Sequence, residues 1–487
     1  MSLLRTTLKG LSWTTISSIV RSLTSLVQVS LLTRYLPKED FGLIAIASIF
    51  IGFSQIFMDM GISNGIMHKQ DTTRDQYCSL FWLNIICGVV LMTILIIIAP
   101  FVSSFYDESM LTNVIVILGI GLFMSSLGIQ QKIILQKQLR FRLISTIEIV
   151  SSFFVILVTF IMVELECGIY SMVVPQMLNV AIPSVVFLII GIITFKHIHF
   201  HFYLNETYPY LKIGSFSVAS NVLSFFSREA DIMIMSTIFG RDVLGGYSLC
   251  KKIVTALFDA INPILSRVLM PIFASIQSER TRLKNAYFHV VEVFICSNLP
   301  IYILVAIFSY GILHILYGKE YINVAYIMSI ISLVYFYLSS WYPIGSLLIA
   351  LGRTDLGLYF NIYQTLIVIP SVLLGSIWGI EGVVLFLLFF YCLSTPVIWR
   401  ITLKPTLGGK FVDYLRIVTP LVLIGLIVSL PFYLLCSTIN SLLYIIALSF
   451  LFFLLYVVCI IVIRPNSYIV ESFRTRFLPY LRIICKK

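Results

Sequence analysis

A chain of 487 residues in which 59% are hydrophobic and 11% are charged has too little polar surface for soluble domains, which are roughly 25% charged. With a mean hydropathy of +1.01, it reads as an all-α polytopic membrane protein. At about 20 residues per span plus a short turn, its length leaves no room for an extramembrane catalytic domain.

Apolar runs of spanning length fall at about 11–33, 41–66, 79–104, 111–136, 143–165, 168–194, 210–238, 243–275, 289–316, 323–350, 355–379, 381–403, 413–437 and 440–463. They predict about 14 transmembrane helices. The shortest connections, 164–167 and 379–382, leave a broken helix as the alternative to two spans. The chain is expected to comprise an N-terminal lobe at 1–207 (six spans), a C-terminal lobe at 208–404 (six spans) and two additional spans at 405–464. A basic amphipathic segment at 465–487 is expected to lie on the anionic inner leaflet.

The net charge of +11 suggests nucleic acid only until its distribution is followed. Of the 33 basic residues, 24 fall in or beside the loops on the N-terminal side, among them Lys69, Lys132, Arg140, Lys196, Arg282, Arg353 and Lys404. The opposite side holds only Arg34, Lys38, Arg241 and Lys319. This asymmetry orients a multi-pass protein with both termini in the cytoplasm and leaves nucleic acid no role. The amino terminus shows no cleavable signal pattern, and nine cysteines without C-x-x-C indicate neither a redox nor a zinc site.

An internal repeat appears at an offset of 203 residues. Leu36-Pro37-Lys38-Glu39-Asp40-Phe41-Gly42 and Phe239-Gly240-Arg241-Asp242-Val243-Leu244-Gly245 are both basic-acidic turns ending beside a Gly that opens the next helix. Parallel repeats of this kind place a binding site between lobes near the bilayer midplane. Chance likeness of two short loops is the alternative.

The turn Arg34 to Gly42 resembles that of the polysaccharide exporters of the multidrug/oligosaccharidyl-lipid/polysaccharide superfamily. Asp59-Met60-Gly61, Phe81-Trp82-Leu83-Asn84, Leu139-Arg140-Phe141-Arg142, Asp231 to Tyr247 and Leu351 to Asp355 are similar again. The likeness runs over nearly the whole chain and is nearest to O-antigen and exopolysaccharide flippases of the teichuronic-acid and colanic-acid exporter branch. Pro37 follows Leu36 without the usual Gly. The resemblance implies two six-helix lobes around a central cavity. It also implies a flippase that carries an undecaprenyl-pyrophosphate-linked oligosaccharide between leaflets of the bacterial cytoplasmic (inner) membrane by alternating access, with polymerase and chain-length machinery as partners.

Five cations fall inside spans: Arg21, Arg228, Lys251, Lys252 and Arg267. Each costs roughly 2.5 to 3.5 kcal/mol at a span centre, so each needs a wet cavity or a partner. Four sit about 12 to 18 Å below the outer surface by helical rise and could form one positive girdle for a pyrophosphate, with Arg267 near the inner mouth as first contact. Adjacent residues point about 100° apart, so only one of Lys251 and Lys252 is expected to face a cavity. Internal pairing is the alternative, since Asp59, Glu148, Glu229, Asp231, Asp259 and Glu292 also lie within spans and Arg228 stands three residues before Asp231. Glu148, Asp259, Asp59 and Asp231 are candidates for coupling or gating, by H+ or Na+, and no cofactor is indicated.

His197, His199 and His201 would share one face of an extended segment, a pattern able to bind zinc or nickel. With aromatic and apolar residues between them and no cysteine nearby, they read as an interfacial loop, and no metal is assigned. The competing functions are a lipid II flippase or a cation-coupled drug exporter of the same superfamily. An enzyme of envelope assembly, a polymerase or ligase, would need catalytic groups in a sizeable outer loop, and none is visible.

Overall fold

The computed structural model describes residues 2–69, 71–195, 199–435 and 442–464. Lys196, His197 and the expected amphipathic segment at 465–487 lie outside the described residues. Among the described residues the chain is helical, without strands. The helices are α1 (Ser2–Leu32), α2 (Lys38–Met58), α3 (Ile62–His68), α4 (Arg74–Phe105), α5 (Met110–Lys137), α6 (Phe141–Glu164), α7 (Tyr170–Ile190), α8 (Leu204–Ile238) and α9 (Arg241–Ser275). They continue with α10 (Arg280–Ile307), α11 (Ser309–Leu316), α12 (Ala325–Trp341), α13 (Pro343–Ala350), α14 (Thr354–Gly375), α15 (Gly379–Ile398), α16 (Lys404–Leu407), α17 (Phe411–Leu435) and α18 (Leu442–Ile463).

Eleven stretches of the described residues are long and apolar enough to cross a membrane, fewer than the fourteen expected. One of the eleven, Asp355–Leu407, is 53 residues long and holds two long helices, α14 and α15, packed on each other across a turn at Gly375–Gly379, followed by the short α16. Two helices of 35 residues, α8 and α9, stand outside the eleven. Large apolar side chains face outward along the helices: Phe101 is 71% exposed, Ile427 71% and Leu443 78%. Such a surface suits contact with lipid, and with eleven stretches of spanning length the protein is a multi-pass membrane protein.

Local sequence explains where the helices begin and break. Thr73 accepts from the Gln76 N–H and the Gln76 side chain accepts from the Thr73 N–H, a capping box that starts α4. The expected span at 41–66 is two helices, because Asp59 accepts from the Ser63 N–H (3.2 Å) and hydroxyl (2.5 Å) and so caps a new helix where α2 stops. Gly61 between them has φ 73°, a left-handed conformation that a side chain resists. The 164–167 connection separates two helices, α6 and α7, which pack side by side.

The chain folds as two compact units, Met1–Ser248 and Leu249–Lys487. In the first, α5 lies between α4 and α7, α1 lies along α6, and α8 packs on α2 and α3. Ser17 donates to Glu148, and Gln28 to Thr159 (3.0 Å); both bonds join residues 131 apart. The two helices therefore advance together and run parallel, the direction that alternating first and fifth spans require. In the second unit α10 packs on α12 and α17. Asn262 donates to Ser339 (3.1 Å) and Asn298 to Asn262 (3.3 Å), all three buried.

The repeated turns meet within the first unit. A Cβ on Gly42 would collide with the Arg241 carbonyl oxygen, and one on Gly245 would collide with that of Lys38. Gly42 and Gly245 are related by the 203-residue offset, and so are Lys38 and Arg241, so each repeat's glycine receives the other's carbonyl. Beside this crossing Arg241 Nε meets Glu108 Oε1 at 2.6 Å, and the hydroxyls of Tyr106 and Ser236 are 2.9 Å apart. Gly42→Val or Gly245→Val should each cost about 1 to 3 kcal/mol or more by overpacking, read as a lowered melting temperature in detergent. Gly345→Ala, where a Cβ would meet nothing within 4 Å, should leave it unchanged or higher.

Candidate functional site

Charge inside a span persists where another helix compensates it, and in the first unit the compensation comes from three helices. Glu148 on α6 sits 2.7 Å from Lys132 Nζ of α5 and 3.6 Å from Arg21 of α1. Ser17, one turn before Arg21, donates to the same carboxylate at 3.1 Å. Helix order accounts for the meeting: α5 and α6 are consecutive and joined by a short turn, which puts Lys132 and Glu148 at similar heights, and α1 runs parallel to α6. The Glu148 side chain is 10% exposed and that of Arg21 47% exposed, so the carboxylate is enclosed while the guanidinium presents an open face. Two cations on one carboxylate leave a net positive charge. Lys132 reads as a loop cation from sequence alone; its place five residues before the end of α5 is the available signal.

Arg228, Glu229 and Asp231 follow one another on α8. Arg228 is exposed and Asp231 buried, and Tyr247 of α9 donates to Asp231 Oδ2 at 2.5 Å. Tyr247 lies 16 residues downstream and carries no charge, so charge counting passes over it. Asp59 is engaged in capping α3.

In the second unit, Lys251 is buried and Lys252 exposed, so the two adjacent side chains diverge. Asp259, two turns further along α9, is exposed. Arg267 lies on α9, and its side chain is outside the described residues. Glu292 on α10 is buried.

Away from the spanning segments, Glu206 in the first turn of α8 is held below the usual carboxylate range. The Ser79 hydroxyl, donating at 2.6 Å, is the chief cause, and His201 adds to it.

Residues 31–326, more than half of the chain, match the family model described as Polysaccharide biosynthesis protein. The lipopolysaccharide biosynthesis protein WzxC of Escherichia coli K12 is 25% identical over 435 residues, 89% of this chain and 86% of that protein. The teichuronic acid biosynthesis protein TuaB of Bacillus subtilis 168 is 28% identical over 360 residues, 74% of each chain. Among solved structures, the lipid II flippase MurJ in an inward closed conformation superposes with TM-score 0.73 at 15% identity, covering 92% of this chain and 98% of that one. An inward-facing multidrug resistance transporter of the MATE family gives 0.62 at 14% identity, covering 78% and 94%. The fold is thus the one seen in MurJ and in the MATE transporter. By the match over residues 31–326, the chain belongs to the polysaccharide biosynthesis protein family.

Disrupting the three-helix charge cluster should show coupling. Lys132→Ala and Glu148→Gln, singly and together, should give a double-mutant coupling of about 0.5 to 3 kcal/mol in unfolding of the detergent-solubilised protein. Additive losses would mean that Lys132 and Glu148 do not interact.

Proposed function

We propose that the protein moves an undecaprenyl-pyrophosphate-linked oligosaccharide repeat unit from the inner to the outer leaflet of the bacterial cytoplasmic membrane, by alternating access and without covalent catalysis. Its product supplies the synthesis of O-antigen, exopolysaccharide or capsule. The observation that carries this reading is the Arg21–Glu148–Lys132 cluster, in which spanning helices hold two cations around one carboxylate. A pyrophosphate enters low-dielectric surroundings only with charge compensation. Arg21 offers a planar fork to phosphate oxygens, and Lys132 a mobile point charge suited to release. Membership of the polysaccharide biosynthesis family favours an envelope polysaccharide precursor over a cationic drug, which a net positive site would repel.

Glu148 and Asp231 are the acids we assign to coupling, with H+ or Na+ as the driving ion. A polymerase and chain-length machinery would take the flipped unit on the outer side. Both termini and the loops at Lys69, Arg140, Arg282, Arg353 and Lys404 face the cytoplasm in this reading.

Arg21→Ala should abolish export while the protein remains folded in the membrane, and lipid-linked repeat units should accumulate in the inner leaflet. Arg21→Lys should retain part of the activity. Export unaffected by Arg21→Ala at normal expression would refute the anion site, and accumulation of lipid II instead would identify a peptidoglycan precursor as cargo. Single cysteines placed at Asp107 and Lys319 should be labelled by an impermeant maleimide added outside intact cells, and cysteines at Arg140 and Arg282 should not. The reverse pattern would invert the orientation.

A further inference from the structure

His199 and His201 alternate along the short segment that leads into α8, with ring centroids 5.7 Å apart. The segment is fastened to the N-terminal part of α4. The His199 carbonyl accepts from Trp82 Nε1 (3.0 Å) and from the Cys78 thiol. Phe200 packs on Trp82 at 4.7 Å between centroids, and the Tyr203 N–H donates to Ser79 Oγ at 3.1 Å.

This docking carries His199 Nε2 to 3.1 Å from Asp75 Oδ1. One ligating atom each from Asp75, His199 and His201 lie within 4.8 Å of one another. His201 Nε2 in turn meets Glu206 Oε1 at 3.1 Å, and Ser79 fixes that carboxylate from its other oxygen at 2.6 Å. Among the described residues, Nδ1 of His199 is buried without a hydrogen-bond partner.

Two ligands each about 2.1 Å from one zinc ion stand roughly 3.0 to 3.4 Å apart, the separation already present between Asp75 and His199. Bringing His201 in from the 4.8 Å limit requires a shift of about 1 to 1.5 Å at that bond length, within reach of the exposed Asp75 side chain. Two imidazoles and one carboxylate form a nitrogen-rich set suited to zinc, nickel or copper and poorly suited to magnesium or calcium. A carboxylate behind a ligating imidazole, as Glu206 stands behind His201, fixes the tautomer and ring orientation.

We propose that Asp75, His199 and His201, with Glu206 orienting His201, form a binding site for a divalent transition metal of the zinc or nickel type, which clamps the segment before α8 onto α4. The clamp is separate from the Arg21–Glu148–Lys132 cluster and does not depend on the cargo.

The test uses the full chain, purified in detergent without a polyhistidine tag and stripped with EDTA. Calorimetric titration with zinc chloride should give one site per chain. His199→Ala, His201→Ala and Asp75→Asn should each weaken binding at least tenfold, and Glu206→Gln about tenfold or more. X-ray absorption of the zinc-loaded protein should show only nitrogen and oxygen neighbours near 2.0 to 2.1 Å. Should the alanine variants fail to elute as a monodisperse peak, His199→Gln and Asp75→Asn carry the test. Zinc binding by Asp75→Asn equal to that of the unsubstituted protein would leave a histidine tract alone and overturn the site, as would absence of zinc binding altogether. Either result would leave the flippase reading standing, because that reading is measured by export and lipid accumulation.

Discussion

Hydrocarbon offers no partner to a backbone N–H or C=O, and every other feature of this protein is arranged around that deficit. Helices satisfy their own backbone and can therefore face lipid, which is why the described chain is helical and why Leu443 and Phe101 stand exposed without penalty. Interruptions occur where local groups replace the lost bonds. At the break between α2 and α3 the Asp59 carboxylate takes up the Ser63 N–H, so the chain changes direction without stranding that donor.

Charge obeys the same economy. A cation on an isolated span would be expelled or would drag water with it, and Arg21 is retained because α6 brings Glu148 to it. The presence of Lys132 on the same carboxylate turns a neutral pair into a cluster with net positive charge. A pair alone would account for folding, and the surplus cation is the feature on which the proposed anion site rests.

Close helix crossings depend on missing side chains. Van der Waals packing has to replace the hydrophobic effect between helices in lipid, so small residues let backbones approach. Gly42 and Gly245 do this reciprocally, each against the carbonyl of the other repeat's basic residue. The repeat seen in the sequence is therefore a physical contact as well as a likeness, and its charged residue Arg241 is fixed at the crossing by Glu108.

The sequence by itself determined the membrane class, the helical fold and most span positions, because hydrophobic length is a property of composition along one dimension, and the family was legible in short local motifs such as Arg34 to Gly42. It also singled out Arg21 and Glu148, because ionisable groups stand out against an apolar background. Only the tertiary structure decided that these two belong together, that Lys132 joins them, that Tyr247 holds Asp231, and that Asp75 meets the His199 ring while the Cys78 thiol meets its carbonyl. These partners lie between 16 and about 130 residues apart, on different elements, and sequence periodicity reports which face a residue occupies on its own helix while carrying no information about which helix lies against that face.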